Sequence, residues 1–495
     1  MRILGELEPE RVFYYFEEIS GIPHGSYHTK KISDYCVSVA RRLGIPVRQD
    51  QWNNVVIHKP ATKGFEQAPA VMLQGHLDMV CEKETDNSHD FETEGLDLMI
   101  QDGYVKARGT TLGGDDGIAV AMGLAILEDA NLVHPALELV FTTEEEVGME
   151  GALHLDTTDL SAEYLLNLDS EDEGILTVSC AGGSTLELEL EYQVEEVSGI
   201  PVKLIICGLL GGHSGVEISK GRANSNKRMA QVLEGLAKEV SYRLISIDGG
   251  SKHNAIPRET TASLVLGTEQ DLQRLKTVIE RYQKLYQEAY QDSDADIRLE
   301  LQIRGGEYKV KNGHLTAITS RDAGNLRKLL MLLPEGVQAM SQVIPGLPET
   351  SLNPGVLKTL QEEQKVYLEI SNRSSNPASL KLLEEQIRYI ADVCGFQCRI
   401  QSEYPGWSFR RNSRLRTVMA DVYRDLFQRE VTIESIHAGL ECGIIASKMP
   451  ELDIVSTGPD ILDIHTPQER LSIVSVQRTY SYVCRVLEVL AGEME

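Results

Sequence analysis

His76, Asp115, Glu145, Glu146, Asp169 and His465 are side chains that can bind metal ions or move protons, and they lie far apart along this chain. Imidazole with carboxylate is the ligand set of hydrolytic zinc centres. Four of these residues follow segments that read as strands: AVMLQG runs up to His76, ALELVFTT precedes the Glu144-Glu145-Glu146 run, and YLLNLD ends at Asp169. Open α/β sheets gather their functional groups at such strand ends. His76 and Asp78, within GHLDMV, are two residues apart, so on extended backbone both side chains project to one side. One can bind a metal while the other orients it.

Taken singly, each motif has a plainer reading. Asp115, in TLGGDDG ahead of an apolar helical segment, could be an N-cap; the acidic run 144–146 could be a solvated turn; Asp169 could open a turn with Ser170; and His465, in DIHTP, could be an exposed loop histidine. Together they form the inventory of a two-metal site, in which one carboxylate bridges ions about 3.5–4 Å apart. The conjunction favours that chemistry over coincidence.

Elements of matching type must carry these residues. Through about residue 180 strand-like and helix-like segments alternate, with GIAVAMGLAILEDA following Asp116, which predicts an α/β fold with a mixed, mostly parallel sheet sandwiched by helices. The CAGG cluster at 180–183 then punctuates the chain, and STLELELEYQVEEV alternates with period two. Long amphipathic helices follow, such as the one beginning at 269 and another over 378–393 between KVYLEIS and FQCRIQS. The resulting expectation is an α/β domain in two parts, 1–185 and 403–495, with an inserted α+β domain at 186–402. Successive strand-helix-strand groupings over about 200–290 and 296–400 hint at an internal duplication.

The chain has 495 residues, of which 42% are hydrophobic and 25% charged, the balance of an ordinary folded protein. Lys plus Arg number 48 against 75 Asp plus Glu, and a net charge of -27 disfavours nucleic acid and anionic membrane as partners. The absence of a basic start with an apolar h-region, of long apolar runs and of any CxxC pair among eight scattered cysteines leads to the expectation of a cytoplasmic protein with reduced thiols.

The motifs GHLDMV, GTTLGGDDGIA, TTEEEVGMEGA, NLDSEDEG with CAGG, GGHSG, NAIPRE, YPGW, HAGLECG and TGPDILDIHTP stand in this order along nearly the whole chain. This succession resembles the aminoacyl-histidine (Xaa-His) dipeptidases, which belong to the superfamily of co-catalytic two-zinc aminopeptidases and aminoacylases. The HxD, the paired Glu and the late His are shared across that superfamily, whereas HAGLECG, YPGW and CAGG point to the dipeptidase branch.

The resemblance implies two Zn2+ per chain, with Co2+ or Mn2+ able to substitute. His76 and Asp169 would hold one ion, Glu146 and His465 the other, and Asp115 would bridge them. It further implies Glu145 as general acid/base and Asp78 as the carboxylate that fixes the tautomer of His76, while Asp116, next to the bridging position, is read as supporting a ligand or as structural only. The resemblance makes 1–185 with 403–495 the catalytic domain and 186–402 a lid and dimerisation domain, from which His213 would meet the substrate carbonyl or oxyanion through domain closure or from a neighbouring subunit of a homodimer formed by the lid. Asn254 and Arg373 would hold the substrate carboxylate, and Glu441 would either meet a free α-amino group or cap its helix. Gln468 and Glu469 are where substrate preference could drift. The implied reaction is hydrolysis of a dipeptide with a free N-terminus. Hydrolysis of N-acyl amino acids and metal-stabilised binding without catalysis are the rival readings.

Overall fold

The computed structural model describes residues 2–303, 310–311 and 314–492. The chain divides into two compact units, one of Met1–Cys180, Trp407–Ser435 and Leu440–Glu495, the other of Ala181–Gly406 and Ile436–Gly439. These limits differ from the expected 1–185, 186–402 and 403–495. The glycines read as punctuation already belong to a strand: Gly182 pairs with Ser374, and Gly183 pairs with both Arg373 and Tyr404. The stretch after 403 also gives four residues, Ile436–Gly439, to the second unit.

The first unit is built on a sheet whose centre is parallel: Leu137–Thr142, Val71–His76, Tyr164–Asn167 and Asp453–Ser456 lie side by side. Val55–Lys59 and Val47–Gln49 extend it antiparallel on one flank, and Ile175–Cys180 pairs antiparallel on the other. Every residue of Val71–His76 and Leu137–Thr142 is buried, as parallel strands covered on both faces require, and their Val, Leu, Met and Phe content supplies the apolar surface. The helix Gly114–Glu128 is buried from Gly114 to Leu127, which accounts for its lack of a polar face. A smaller antiparallel sheet joins Leu98–Gln101, Tyr104–Ala107, Arg470–Ser472 and Ile461–Leu462.

The second unit holds a nine-stranded antiparallel sheet, in the order Arg298–Ile303, Ile200–Cys207, Thr260–Leu266, Tyr242–Gly249, Pro348–Leu360, Lys365–Ser374, Gly182–Glu191 and Gln397–Tyr404, with Gly336–Met340 beside Pro348–Leu360. Helices Ser225–Glu239, Glu269–Ala289, Ser320–Leu332 and Pro377–Val393 share one apolar core with it, through residues such as Leu204, Leu233, Leu275, Leu329, Leu368 and Ile387. The expected groupings, about 200–290 and 296–400, do not divide the sheet that way, because Arg298–Ile303 pairs with Ile200–Cys207. Strands from 200–303 fill one half of the sheet, and the other half takes its strands from 348–404 together with Gly182–Glu191, which precedes the first half in the chain.

The α/β class and the inserted α+β unit are both present. No helix among the described residues is long and apolar enough to cross a membrane.

Candidate metal centre

Three adjacent parallel strands end together, and this brings the first ligands into one place. His76 closes Val71–His76 and lies opposite Thr142, while Gln74 lies opposite Asn167. Glu145 and Glu146 therefore leave the sheet just beyond Thr142, and Asp169 just beyond Asn167, at the edge where His76 stands. His465 sits between Ile461–Leu462 and Arg470–Ser472 with a left-handed φ of 59°. Asp115 opens the buried helix, but not as its cap: the N-cap position is Gly113, and no side chain caps this helix.

The Asp115 carboxylate reaches an imidazole with each oxygen, Oδ1 lying 3.1 Å from His76 Nε2 and Oδ2 3.1 Å from His465 Nε2. His76 Nε2 lies 3.6 Å from Asp169 Oδ1, and His465 Nε2 lies 2.9 Å from Glu146 Oε1. These contacts bring His76 together with Asp169, His465 together with Glu146, and Asp115 together with both histidines. Asp115, Glu146 and His465 converge closely enough to share one cation, as do His76, Asp116 and Asp169, and also His76, Glu145 and Glu146.

Charge gives an independent test of whether cations fit. Burial opposes ionisation of Glu145, Glu146, Asp116 and Asp169, and mutual repulsion adds to it, so all four carboxyls titrate above their ordinary range. Asp115, although buried, is held below its range by hydrogen bonds from His465 and His76. His465 is pushed up to about 10 by its hydrogen bonds to Asp115 and Glu146. Burial would lower His76, yet Asp169, Asp115 and Asp78 hold it well above its usual value. The carboxylates find no lysine or arginine ion-pair partner among the described residues. Among those residues their cationic partners are imidazoles, so the donor set suits divalent cations.

Asp78 orients this cluster, chiefly by a route other than the expected one. Its main-chain oxygen is 3.0 Å from His76 Nδ1, whereas its carboxylate is 3.5 Å away. A proton on Nδ1 directs the lone pair of Nε2 at the cluster. The carboxylate accepts from the N–H groups of Glu145, at 3.0 Å, and Glu146, at 3.3 Å, and from Ser26 Oγ at 2.8 Å. Its main work is thus to fix the turn that separates the two glutamates. Asp116 accepts from the His76 N–H at 3.2 Å, and a Cβ on Gly75 would lie 2.4 Å from Asp116 Oδ2, so this position requires glycine.

Glu469 was expected to influence substrate preference, but it is only 2% exposed and does something else. It accepts from the N–H groups of Leu112, Gly113 and Gly114 at 2.8, 3.3 and 2.8 Å, gripping the loop that delivers Asp115. Burial raises its carboxyl to about 7 against the pull of these donors. We expect Glu469→Ala to strand three buried donors at about 1–3 kcal/mol each and to weaken metal retention by about 10–100-fold. Thermal melting and metal titration read the two effects, and unchanged retention would reduce Glu469 to a purely structural brace.

Glu441 does not cap its helix: the N-cap position is Leu440, and no side chain caps there. Its Oε2 accepts from Gln74 Nε2 and Thr142 Oγ1, both at 2.6 Å, while the buried Oε1 has no hydrogen-bond partner. Burial pushes this carboxyl up to about 7.

The second unit assembles His213, Asn254 and Arg373 on its own framework. His213 Nδ1 accepts from the N–H groups of Gly215 and Val216 at 3.2 and 3.3 Å, leaving Nε2 as the protonated nitrogen. Burial and then Arg373 lower its pKa, so the ring is a neutral donor. Asn353 Nδ2 donates to His253 O and Ala255 O, at 3.0 and 2.8 Å, and so pins the backbone on both sides of Asn254. The main-chain oxygen of Asn254 accepts from Ser214 N at 2.8 Å. Arg373 lies between Ser351 and Gly183 on neighbouring strands, and its Nη1 donates to Tyr404 Oη at 2.7 Å. A side chain at Gly183 would block that reach, since its Cβ would lie 2.4 Å from Tyr404 Oη.

Known proteins can be set beside this geometry. The model of "Peptidase family M20/M25/M40" matches residues 72–489. The chain is 36% identical over 495 residues to the cytosol non-specific dipeptidase of Escherichia coli (strain K12), covering 100% of both. The crystal structure of aminoacylhistidine dipeptidase from Vibrio alginolyticus matches with a TM-score of 0.91 and 34% identity over 98% of each chain. Human carnosine dipeptidase 1 matches with a TM-score of 0.51 and 13% identity, covering 97% of this chain and 96% of that one, a likeness of fold alone.

Proposed function

Because the chain belongs to peptidase family M20/M25/M40, we propose that it is a metallo-dipeptidase that hydrolyses dipeptides with a free N-terminus, Xaa-His among them. The observation that carries this reading is the Asp115 carboxylate shared between His76 and His465 at 3.1 Å each, an arrangement suited to two neighbouring cations. The dipeptidase relatives at 36% and 34% identity support the substrate class.

His76 and Asp169 would hold one Zn2+, Glu146 and His465 the other, and Asp115 both, with Co2+ or Mn2+ as substitutes. Bound there, such ions would polarise the scissile carbonyl and lower the pKa of a water molecule towards neutrality. Glu145 takes one proton from the attacking water as its oxygen bonds to the carbonyl carbon. It then delivers that proton to the amide nitrogen as the C–N bond breaks, releasing an amine and a carboxylic acid, and the acid's remaining proton passes to the amine or to solvent at neutral pH. Burial raises the Glu145 carboxyl above its ordinary range, which strengthens it as a base and makes it a usable acid for the second step. Asp78 holds Glu145 and Glu146 in their separate directions through its bonds to both N–H groups.

His213, as a neutral donor, serves the developing oxyanion. Arg373, with Asn254, receives the dipeptide carboxylate. The buried Oε1 of Glu441 is the acceptor offered to the free α-amino group. A cytoplasmic location fits eight free cysteines and the cytosolic relative. A homodimer through the inserted unit would bury Leu382, Tyr389 and Val393, which are 67, 71 and 61% exposed along the helix Pro377–Val393.

The test is a panel of Xaa-His dipeptides, other dipeptides, tripeptides and N-acetylated amino acids offered to zinc-loaded protein, with a chelator control. Chelator-sensitive cleavage confined to unblocked dipeptides is expected. Preference for the acetylated compounds would move the chain to the aminoacylase branch.

A further inference from the structure

The HAGLECG motif contains a histidine, His437, to which neither the ligand set nor the proton transfers give a role. It lies on the short return Ile436–Gly439, which belongs to the second unit. The N–H of Ala181 bonds to both Ile436 O and Ala438 O, at 3.1 and 3.0 Å, and so fixes the return against the start of that unit. A Cβ on Gly215 would lie 2.5 Å from His437 O and 2.9 Å from His213 Cε1, so this glycine lets the two histidine segments close on one another.

The register of the sheet places Ser351, Arg373, Gly183 and Tyr404 in one row across four strands. His437 joins this row at one end, its Nε2 lying 2.7 Å from Ser351 Oγ. The imidazole is 4% exposed, and its Nδ1 has no partner; Arg373, 7% exposed, has an unpartnered Nε and, among the described residues, no acidic partner. Burial first, then Arg373 and His213, lower the His437 ring to about 4, so it is neutral at physiological pH. With the serine hydroxyl donating to Nε2, the proton stands on Nδ1, and the row presents two buried donor groups lacking acceptors. Buried donors of this kind are costly unless an acceptor arrives. A planar carboxylate offers oxygens to a guanidinium and to a third N–H together.

Resting on the dipeptidase reading, we infer that His437 is a specificity-determining donor to the C-terminal carboxylate of the substrate, acting beside Arg373. It makes the enzyme select an unblocked C-terminus as well as an unblocked N-terminus. A neutral donor suits that task, because a second positive charge beside Arg373 would be repelled when no substrate is bound.

The test compares kcat and KM for an unblocked dipeptide and for its C-terminal amide in the wild type, His437→Leu and His437→Asn, with zinc content and melting temperature measured on each. Loss of one hydrogen bond to a charged group predicts a KM for the dipeptide raised by about 10–100-fold in His437→Leu, with the amide changed by about twofold or less. The preference for the free acid therefore collapses while kcat and zinc content hold. His437→Asn, whose amide N–H stands near the place of Nδ1, should restore much of the preference. An unchanged acid-to-amide ratio in His437→Leu, or equal losses on both substrates in both variants, would overturn the assignment while leaving dipeptide hydrolysis by the wild type intact. A wild type that cleaves no dipeptide would instead remove the dipeptidase reading, and this role with it.

Discussion

Glu145→Ala is expected to retain both metal ions and to lose about 10^2–10^4-fold in kcat, the range for removal of a positioned general base. The expectation rests on a division of labour between adjacent glutamates. Glu146 Oε1 lies 2.9 Å from His465 Nε2, in a ligand-like position, and Asp78 holds the N–H of each glutamate through a separate carboxylate oxygen. Glu145 is also close enough to His76 and Glu146 to share a cation with them, so the geometry leaves a rival role that the experiment can separate. Elemental analysis of metal per chain, set beside kcat, decides between them. Zinc and activity falling in step would make Glu145 a ligand and require another base. In the wild type the acid limb of kcat/KM should report loss of a proton from the Glu145 carboxyl, and that limb should vanish in Glu145→Ala.

Asp115→Ala should have the larger effect on the metals. Its two oxygens meet two imidazoles, so its loss removes a ligand from both ions and leaves His76 and His465 without their shared counter-charge. Retention of both ions should weaken by at least about 100-fold, beyond the usual effect of removing a supporting residue, and dipeptide turnover should fall to background. His465→Ala supplies the contrast, with one ion of the two expected to be lost. If Asp115→Ala also lost a single ion, the bridging role would be wrong and each ion would have its own ligand set.

The parts of this centre that the sequence made legible are those governed by local pattern. Parallel strands end where their apolar runs end, so His76, the pair Glu145 and Glu146, and Asp169 could be placed at one sheet edge from the sequence alone. The apolar run after Asp116 likewise marked a buried helix. Contacts set by distant segments were not legible. Glu469 meets Leu112 across 357 residues, and nothing in its own surroundings announces that its carboxylate grips a loop so remote.

The row through Ser351, Arg373, Gly183 and Tyr404 depends on antiparallel register, in which a shift of one residue would turn each side chain to the other face. Four residues of return, Ile436–Gly439, are too few to produce a periodic signal. The glycines at 182 and 183 stand just past the change of unit between Cys180 and Ala181, so the cluster read as punctuation does mark it. They resemble a turn, yet Gly183 lies within a strand, where its missing side chain clears the path from Arg373 to Tyr404.

The most direct test of the central claim is a titration of chelator-stripped protein with Zn2+ while hydrolysis of an unblocked Xaa-His dipeptide is followed. A centre with two ligand pairs joined by Asp115 predicts negligible turnover in stripped protein and activity that rises to a plateau at two equivalents of zinc. Full activity without added metal, a plateau at one equivalent, or no activity at any loading would contradict it.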